Sequence, residues 1–325
     1  MSNGRLEKET IAFARIEEKL KTLPKVFTEY YYTMRAEKKS YRTLEEYIIS
    51  INVFMNNVTN GNNSEDFYKN ITAMDVNKYM ISLETREVKG KTKPTSSSFR
   101  ATQWYAINSF FEFLNENGKI QGNPVPKRSR PKITDNASVT YLTEQEIETI
   151  IWSIKNKAGD MLVSRNLCLF IMGITTGLRV SAILQINMED IDMDKGVIHV
   201  VEKRNKTFDV ILGKKTKQAL KAWIVDRNKY FKNVKTNALF VSQGGERMGY
   251  DAIRKMLITY SELVNKKVTP HVMRHTCATN LYEKTGDIYL TATQLHHSNI
   301  ATTQRYAEIS NKKLKHAASV LDDMI

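Results

Sequence analysis

The stretch that most limits how this chain can fold is QGNPVPKRSRPKITDNASV, residues 121–139. It holds three of the six prolines, Pro124, Pro126 and Pro131, interleaved with Lys127, Arg128, Arg130 and Lys132. Proline fixes φ and lacks a backbone donor, so the segment is kept extended and out of a helix. Four cations within six residues repel one another unless something anionic lies alongside. Residues 122–139 therefore read as a basic linker. A chain of 325 residues, 41% of them hydrophobic, can supply a core on each side of it.

Charge narrows the partner. Lysine and arginine outnumber the acids 49 to 35, a formal charge of +14, and the pI is near 9.5. An excess of this size points to a polyanion such as nucleic acid rather than to solubility alone. In that light the linker reads as a strap for a clamp around DNA. The two cysteines, Cys168 and Cys277, lie within apolar helical patterns and read as small core residues of an intracellular protein. Neither a hydrophobic leader at MSNGRLEKET nor an apolar run of about 18 residues occurs, so no membrane span is expected. Cytoplasm or nucleoid is the expected location.

Residues 1–22 form a charged lead-in, extended or helical. Residues 23–121 carry four amphipathic helical patterns, VFTEYYYTMRAE, TLEEYIISINVFMNNV, TAMDVNKYMISLE and SSSFRATQWYAINSFFEFLNENG. In the last, Ala106, Phe110, Phe113 and Leu114 recur on one face and Gly118 stops the helix. These four make a compact helical bundle. A second folded unit, residues 140–310, opens on a capping box, Thr143 with Glu146. MLVSRNLCLFIMGITTGLR reads as a buried helix ended by Gly177. VIHVVEKRNKTFDVIL alternates as two short strands around a polar turn at residues 204–206. The fold class is mainly α with a small β-sheet.

Several residues could carry chemistry. Arg179 follows a glycine stop, in a turn between two helices. His271 and Arg274 stand at i and i+3 after Pro270, on one face of a helix's first turn, where both could address one anion. His275 faces elsewhere and reads as a structural histidine. The pairs His271 with His275 and His296 with His297 raise the question of zinc. A hydrolytic zinc motif wants a glutamate beside its histidines, and Arg274 would repel a dication, so neither metal nor cofactor is expected.

TGLRVSAI, VEKRNKTFDVIL, HVMRHTCATNL and LHHSNIATTQRYAEI follow one another in the order and approximate spacing of the tyrosine recombinases, the family of phage integrases, Xer-type recombinases and transposon integrases. The resemblance covers residues 140–310. Less specifically, the preceding bundle resembles that family's SAM-like core-binding domain. The resemblance implies that Tyr306 attacks a DNA phosphodiester, with Arg179 and Arg274 on the non-bridging oxygens and His271 assisting proton transfer. It makes Lys203 the general acid for the leaving 5′ oxygen, with Lys206 as its rival in the hairpin. His297, nine residues before Tyr306, would donate to the phosphate, with His296 as the alternative. The chemistry is coherent, since an attacked phosphodiester gains negative charge and arginine forks match phosphate geometry. Two positions depart from the family. Ala182 stands where an acidic residue is usual, and His296 stands where a glycine usually precedes the histidine.

The resemblance implies a site-specific recombinase that acts on double-stranded DNA as a homotetramer, through a covalent 3′-phosphotyrosyl intermediate and a Holliday junction. A type IB topoisomerase would use the same chemistry as a monomer, and a catalytically weak DNA-binding regulator could share the fold. Residues 311–325, with Leu314, Ala317, Ala318 and Leu321 on one stripe, read as a tail helix for contact between protomers. Little room precedes the bundle for a further arm-binding domain.

Overall fold

The computed structural model describes residues 3–61, 66–88, 90–133, 139–201, 207–231, 233–296 and 303. The chain is mainly α with small β content and separates into two units, Met1–Ala137 and Ser138–Ile325.

Unit one contains α1 (Asn3–Leu20), α2 (Lys25–Ala36), α3 (Tyr41–Val58), α4 (Ala73–Ser82) and α5 (Ser97–Glu116). Helix starts follow local chemistry. The Ser40 hydroxyl accepts from Thr43 N at 3.2 Å at the start of α3, and the Ser96 hydroxyl from Phe99 N at 3.1 Å at the start of α5. Thr72 and Asp75 form a reciprocal capping box on α4. The expected face of α5 is buried at all four positions, and Phe110 stacks on Phe27 with ring centroids 5.4 Å apart. Ile16 of α1 is fully buried in the same core, so part of the charged lead-in belongs to the folded unit. Among the helical patterns lies an antiparallel ribbon, β1 (Thr85–Val88) with β2 (Lys91–Pro94). Its residues are exposed save Val88, which is half-buried, so no apolar alternation marks it in the sequence.

The proline segment is not a free connector throughout. Val125 is buried in the core of unit one, Trp104 Nε1 donates to Ser129 Oγ at 3.3 Å, and the Arg130 guanidinium lies 5.0 Å from the Tyr105 ring centroid. Lys127–Ser129 makes a turn of 3-10 helix where an extended chain was expected, because proline's fixed φ also suits the start of a turn. Lys127, Arg128, Arg130 and Lys132 are all exposed.

Unit two contains α6 (Glu144–Lys157), α7 (Asp160–Thr175), α8 (Val180–Ile183), β3 (Ile191–Asp192), β4 (Val197–Val201), β5 (Thr207–Ile211), α9 (Lys214–Tyr230), α10 (Tyr250–Ser261), α11 (Pro270–Thr285) and α12 (Ile288–Gln294). The Thr143–Glu146 capping box opens α6 as expected. β4 and β5 pair antiparallel with Val201 opposite Thr207, and the two-residue β3 adds a third strand too short to leave a pattern in the sequence. Helix α7 contributes Leu169 and Phe170 to the core that also holds Trp223 of α9, and Trp223 Nε1 donates to Leu239 O at 3.0 Å. Both cysteines are buried free thiols. Burial pushes the Cys277 thiol up to about 12, against the opposing pull of Arg274. Among the described residues no helix is long and apolar enough to cross a membrane.

Candidate active site

Arg179 emerges from α7 through a turn that only glycine suits. Gly177 has φ +67, and a Cβ there would meet Leu295 Cδ2 at 2.7 Å and Cys277 Sγ at 3.2 Å. Left-handed backbone and close packing against α11 and the end of α12 thus coincide at one residue. Arg179 caps α8 with extended backbone and an exposed side chain. Ala182, in the same short helix, is buried in the core, and its amide donates to Arg179 O at 2.8 Å.

Helix α11 begins with Thr269, whose hydroxyl accepts from Val272 N at 3.2 Å, followed by Pro270. His271 and Arg274 follow at the expected spacing but in different surroundings. His271 is exposed, whereas Arg274 is only 6% exposed. The Arg274 Nη1 donates to Gly177 O at 2.6 Å and its Nη2 to Leu295 O at 2.7 Å. One buried guanidinium therefore ties the turn two residues before Arg179 to the end of α12, two residues before His297. Gln294 Nε2 reinforces the tie with a bond to Thr176 O at 3.2 Å. With alanine at 182, the backbone leading to Arg179 is held by these side chains.

The end of α12 meets the lysine hairpin as well. His296 has φ +51, the left-handed region that a residue just past a helix end commonly adopts. A glycine there carries no steric penalty, which gives the family's usual residue a physical reason. His296 tolerates the conformation with its ring stacked on Phe208, centroids 3.5 Å apart and planes 25° apart. Phe208 lies on β5, two residues past Lys206. Arg179's turn, α11, the end of α12 and the strand leaving the lysine hairpin thus converge. Lys203, Lys206, His297 and Tyr306 lie outside the described residues, while Thr303, three residues before Tyr306, is fully buried.

Sequence reasoning missed Phe208 and Gln294. Neither bears a charge or a nucleophile, and each matters only through a partner far along the chain. Gly177 did leave a signal, the stop after α7, but its second role against Leu295 needed the tertiary structure.

The phage integrase family pattern matches residues 140–313, more than half of the chain. The tyrosine recombinase XerC of Pseudomonas syringae pv. syringae is 30% identical over 228 residues, 70% of this chain and 74% of that protein. In fold, the chain is similar to the XerH site-specific recombinase solved with its palindromic difH substrate, with a TM-score of 0.66 and 22% identity over 89% of this chain and 82% of that one. It is also similar to the Tn1549 transposon integrase solved with a circular intermediate DNA, with a TM-score of 0.67 and 18% identity over 91% of this chain and 99% of that one. With the described parts of its four ordered motifs converging and the family pattern spanning the motifs, the chain belongs to the phage integrase family and is a tyrosine recombinase.

Proposed function

We propose that this recombinase cleaves and rejoins specific DNA sites through Tyr306, within a homotetramer that passes through a Holliday junction. The observation that carries the reading is the Arg274 guanidinium, buried and bonded to the backbone on both the Arg179 side and the His297 side. Such a group is preorganised before substrate arrives, which is what stabilisation of a charged transition state requires. A guanidinium has five N–H donors, enough to serve backbone carbonyls and a phosphate together.

In this mechanism the Tyr306 phenolic oxygen attacks the scissile phosphorus and its proton passes to His271. The bond from phosphorus to the 5′ oxygen breaks as Lys203 protonates that oxygen, leaving a 3′-phosphotyrosyl bond and a free 5′ hydroxyl. Arg179 and Arg274 take the charge of the non-bridging oxygens, and His297 donates a further hydrogen bond. A phenol of pKa about 10 needs such neighbours to react near neutrality. Attack by a 5′ hydroxyl from the second duplex reverses each step, so phosphodiester energy is conserved and no nucleotide is consumed. The bundle and the basic strap of residues 122–139 would hold the duplex, and residues 311–325 would join protomers.

A suicide substrate nicked near its cleavage site tests this. The wild type should accumulate a covalent 3′-phosphotyrosyl adduct in the presence of EDTA, and Tyr306→Phe should bind but form none. Adduct in Tyr306→Phe would remove Tyr306 from the role. Relaxation of any supercoiled plasmid by the monomer would instead identify a topoisomerase.

A further inference from the structure

The β1–β2 ribbon separates charge by face. Antiparallel register sets Arg86 directly opposite Lys93 and Val88 opposite Lys91, so Arg86, Lys91 and Lys93 share one face. The other face carries Glu87 opposite Thr92, and the Thr92 hydroxyl donates to the Glu87 carboxylate at 2.5 Å. The acid is thus occupied on the side away from the cations. Among the described residues none of the three cations has an acidic partner within salt-bridge distance, and all three are exposed.

This arrangement works against folding of the ribbon by itself. A two-stranded ribbon is marginal in water, and like charges directly opposite each other weaken it. The ribbon buries almost nothing in compensation. Its base is nevertheless held: Thr95 N donates to Glu84 O at 2.9 Å, Thr95 Oγ1 to Leu83 O at 2.5 Å, and Arg100 Nη1 to Thr95 O at 3.1 Å. A firmly based ribbon with three cations on one face and no counter-ion among the described residues is suited to an external polyanion, whose charge would convert the repulsion into attraction.

We infer that the Arg86, Lys91 and Lys93 face of the ribbon is a binding site for the DNA phosphate backbone. The inference rests on the proposed function as a DNA recombinase and adds a contact outside the helices and the strap. Contacts of these cations to phosphate oxygens supply affinity and register and leave sequence choice to other elements.

The test compares the full chain with Arg86→Gln/Lys91→Gln/Lys93→Gln, with Lys93→Glu and with Glu87→Gln, measuring affinity for specific and random duplexes between about 50 and 200 mM salt. Each lost phosphate contact lowers the slope of log affinity against log salt by about 0.9. The triple variant should therefore lose about 2–3 from the slope while its preference for the specific duplex persists. Lys93→Glu faces Arg86 with an opposite charge and so supports the ribbon, yet it should flatten the slope by about 1–2. Glu87→Gln, on the other face, should not flatten it. A wild type with steep salt dependence and variants of equal slope would overturn the inference while leaving the proposed function standing. Loss of site preference with little change of slope would overturn the backbone assignment. A wild type without salt-dependent duplex binding would overturn the proposed function, and this inference with it.

Discussion

Arg179 and Arg274, proposed to serve one phosphate, are held by different physical means, one exposed and the other buried on two backbone carbonyls. Arg274→Ala leaves the Gly177 and Leu295 carbonyls unpaired, at about 1–3 kcal/mol for each such buried group. Arg274→Lys keeps the charge but loses the fork that reaches both carbonyls. Both variants should lower the denaturation midpoint, and cleavage should fall about 10²–10³-fold or more. Arg179→Ala, at an exposed position, should cost a similar factor in cleavage while lowering stability less than Arg274→Ala does. Chemical denaturation beside single-turnover cleavage separates the two patterns. His296 offers a second contrast. Alanine there loses the Phe208 stack without relieving the left-handed backbone, at about 0.5–1.5 kcal/mol. Glycine loses the stack but relieves about 1 kcal/mol of backbone strain, so His296→Gly should prove more stable than His296→Ala.

Among elements, the connections around α6 and α11 carry a pH signature. Lys266 Nζ donates to Glu146 at 2.8 Å and to Tyr141 O at 3.2 Å, joining the start of α6 to the chain entering α11. Burial alone would raise the Glu146 carboxyl, but the bonds from Lys266 and Thr143 outweigh it and hold the group below the usual carboxylate range. A depressed folded pKa means that this stabilisation is present above the unfolded value and disappears as pH falls through the folded one. Glu146→Gln should be less stable than the wild type near neutrality, and the gap should close under acid. A gap that stays constant down to about pH 3 would show that the ion pair contributes nothing. The strap offers a second measurement at this scale. Neutralising Lys127, Arg128, Arg130 and Lys132 should weaken binding to all duplexes and reduce the salt slope by up to about 3.6. An unchanged slope would show that these four cations make no phosphate contacts.

For the whole molecule, the charge of +14 should steer the encounter with DNA, while assembly should decide when cleavage occurs. The tail, residues 311–325, lies outside the described residues, and its apolar stripe is the expected contact with a neighbouring protomer. Deleting it should leave binding to a single site intact, reduce tetrameric synapses on native gels and change cleavage. A truncated protein that assembles and recombines normally would show that the tail does not link protomers.

Local chemistry was legible wherever it acts over a few residues. The capping box at Thr143, the apolar face of α5, the glycine stop at 177 and the paired strands β4 and β5 can all be read along the chain, because turns, caps and periodicity depend on neighbours in sequence. So can the order of the four motifs and the residue types that phosphate chemistry needs. Tertiary structure alone decided that Arg274 is buried while His271, three residues away, is exposed. It also decided that Gly177 must make room for Leu295, and that Phe208 supports His296. Each of these depends on groups brought together from far along the chain, the Arg274 bonds spanning 97 and 21 residues. No local pattern encodes such a meeting. The β1–β2 ribbon escaped notice for the opposite reason, since an element that buries almost nothing leaves no hydrophobic period to read.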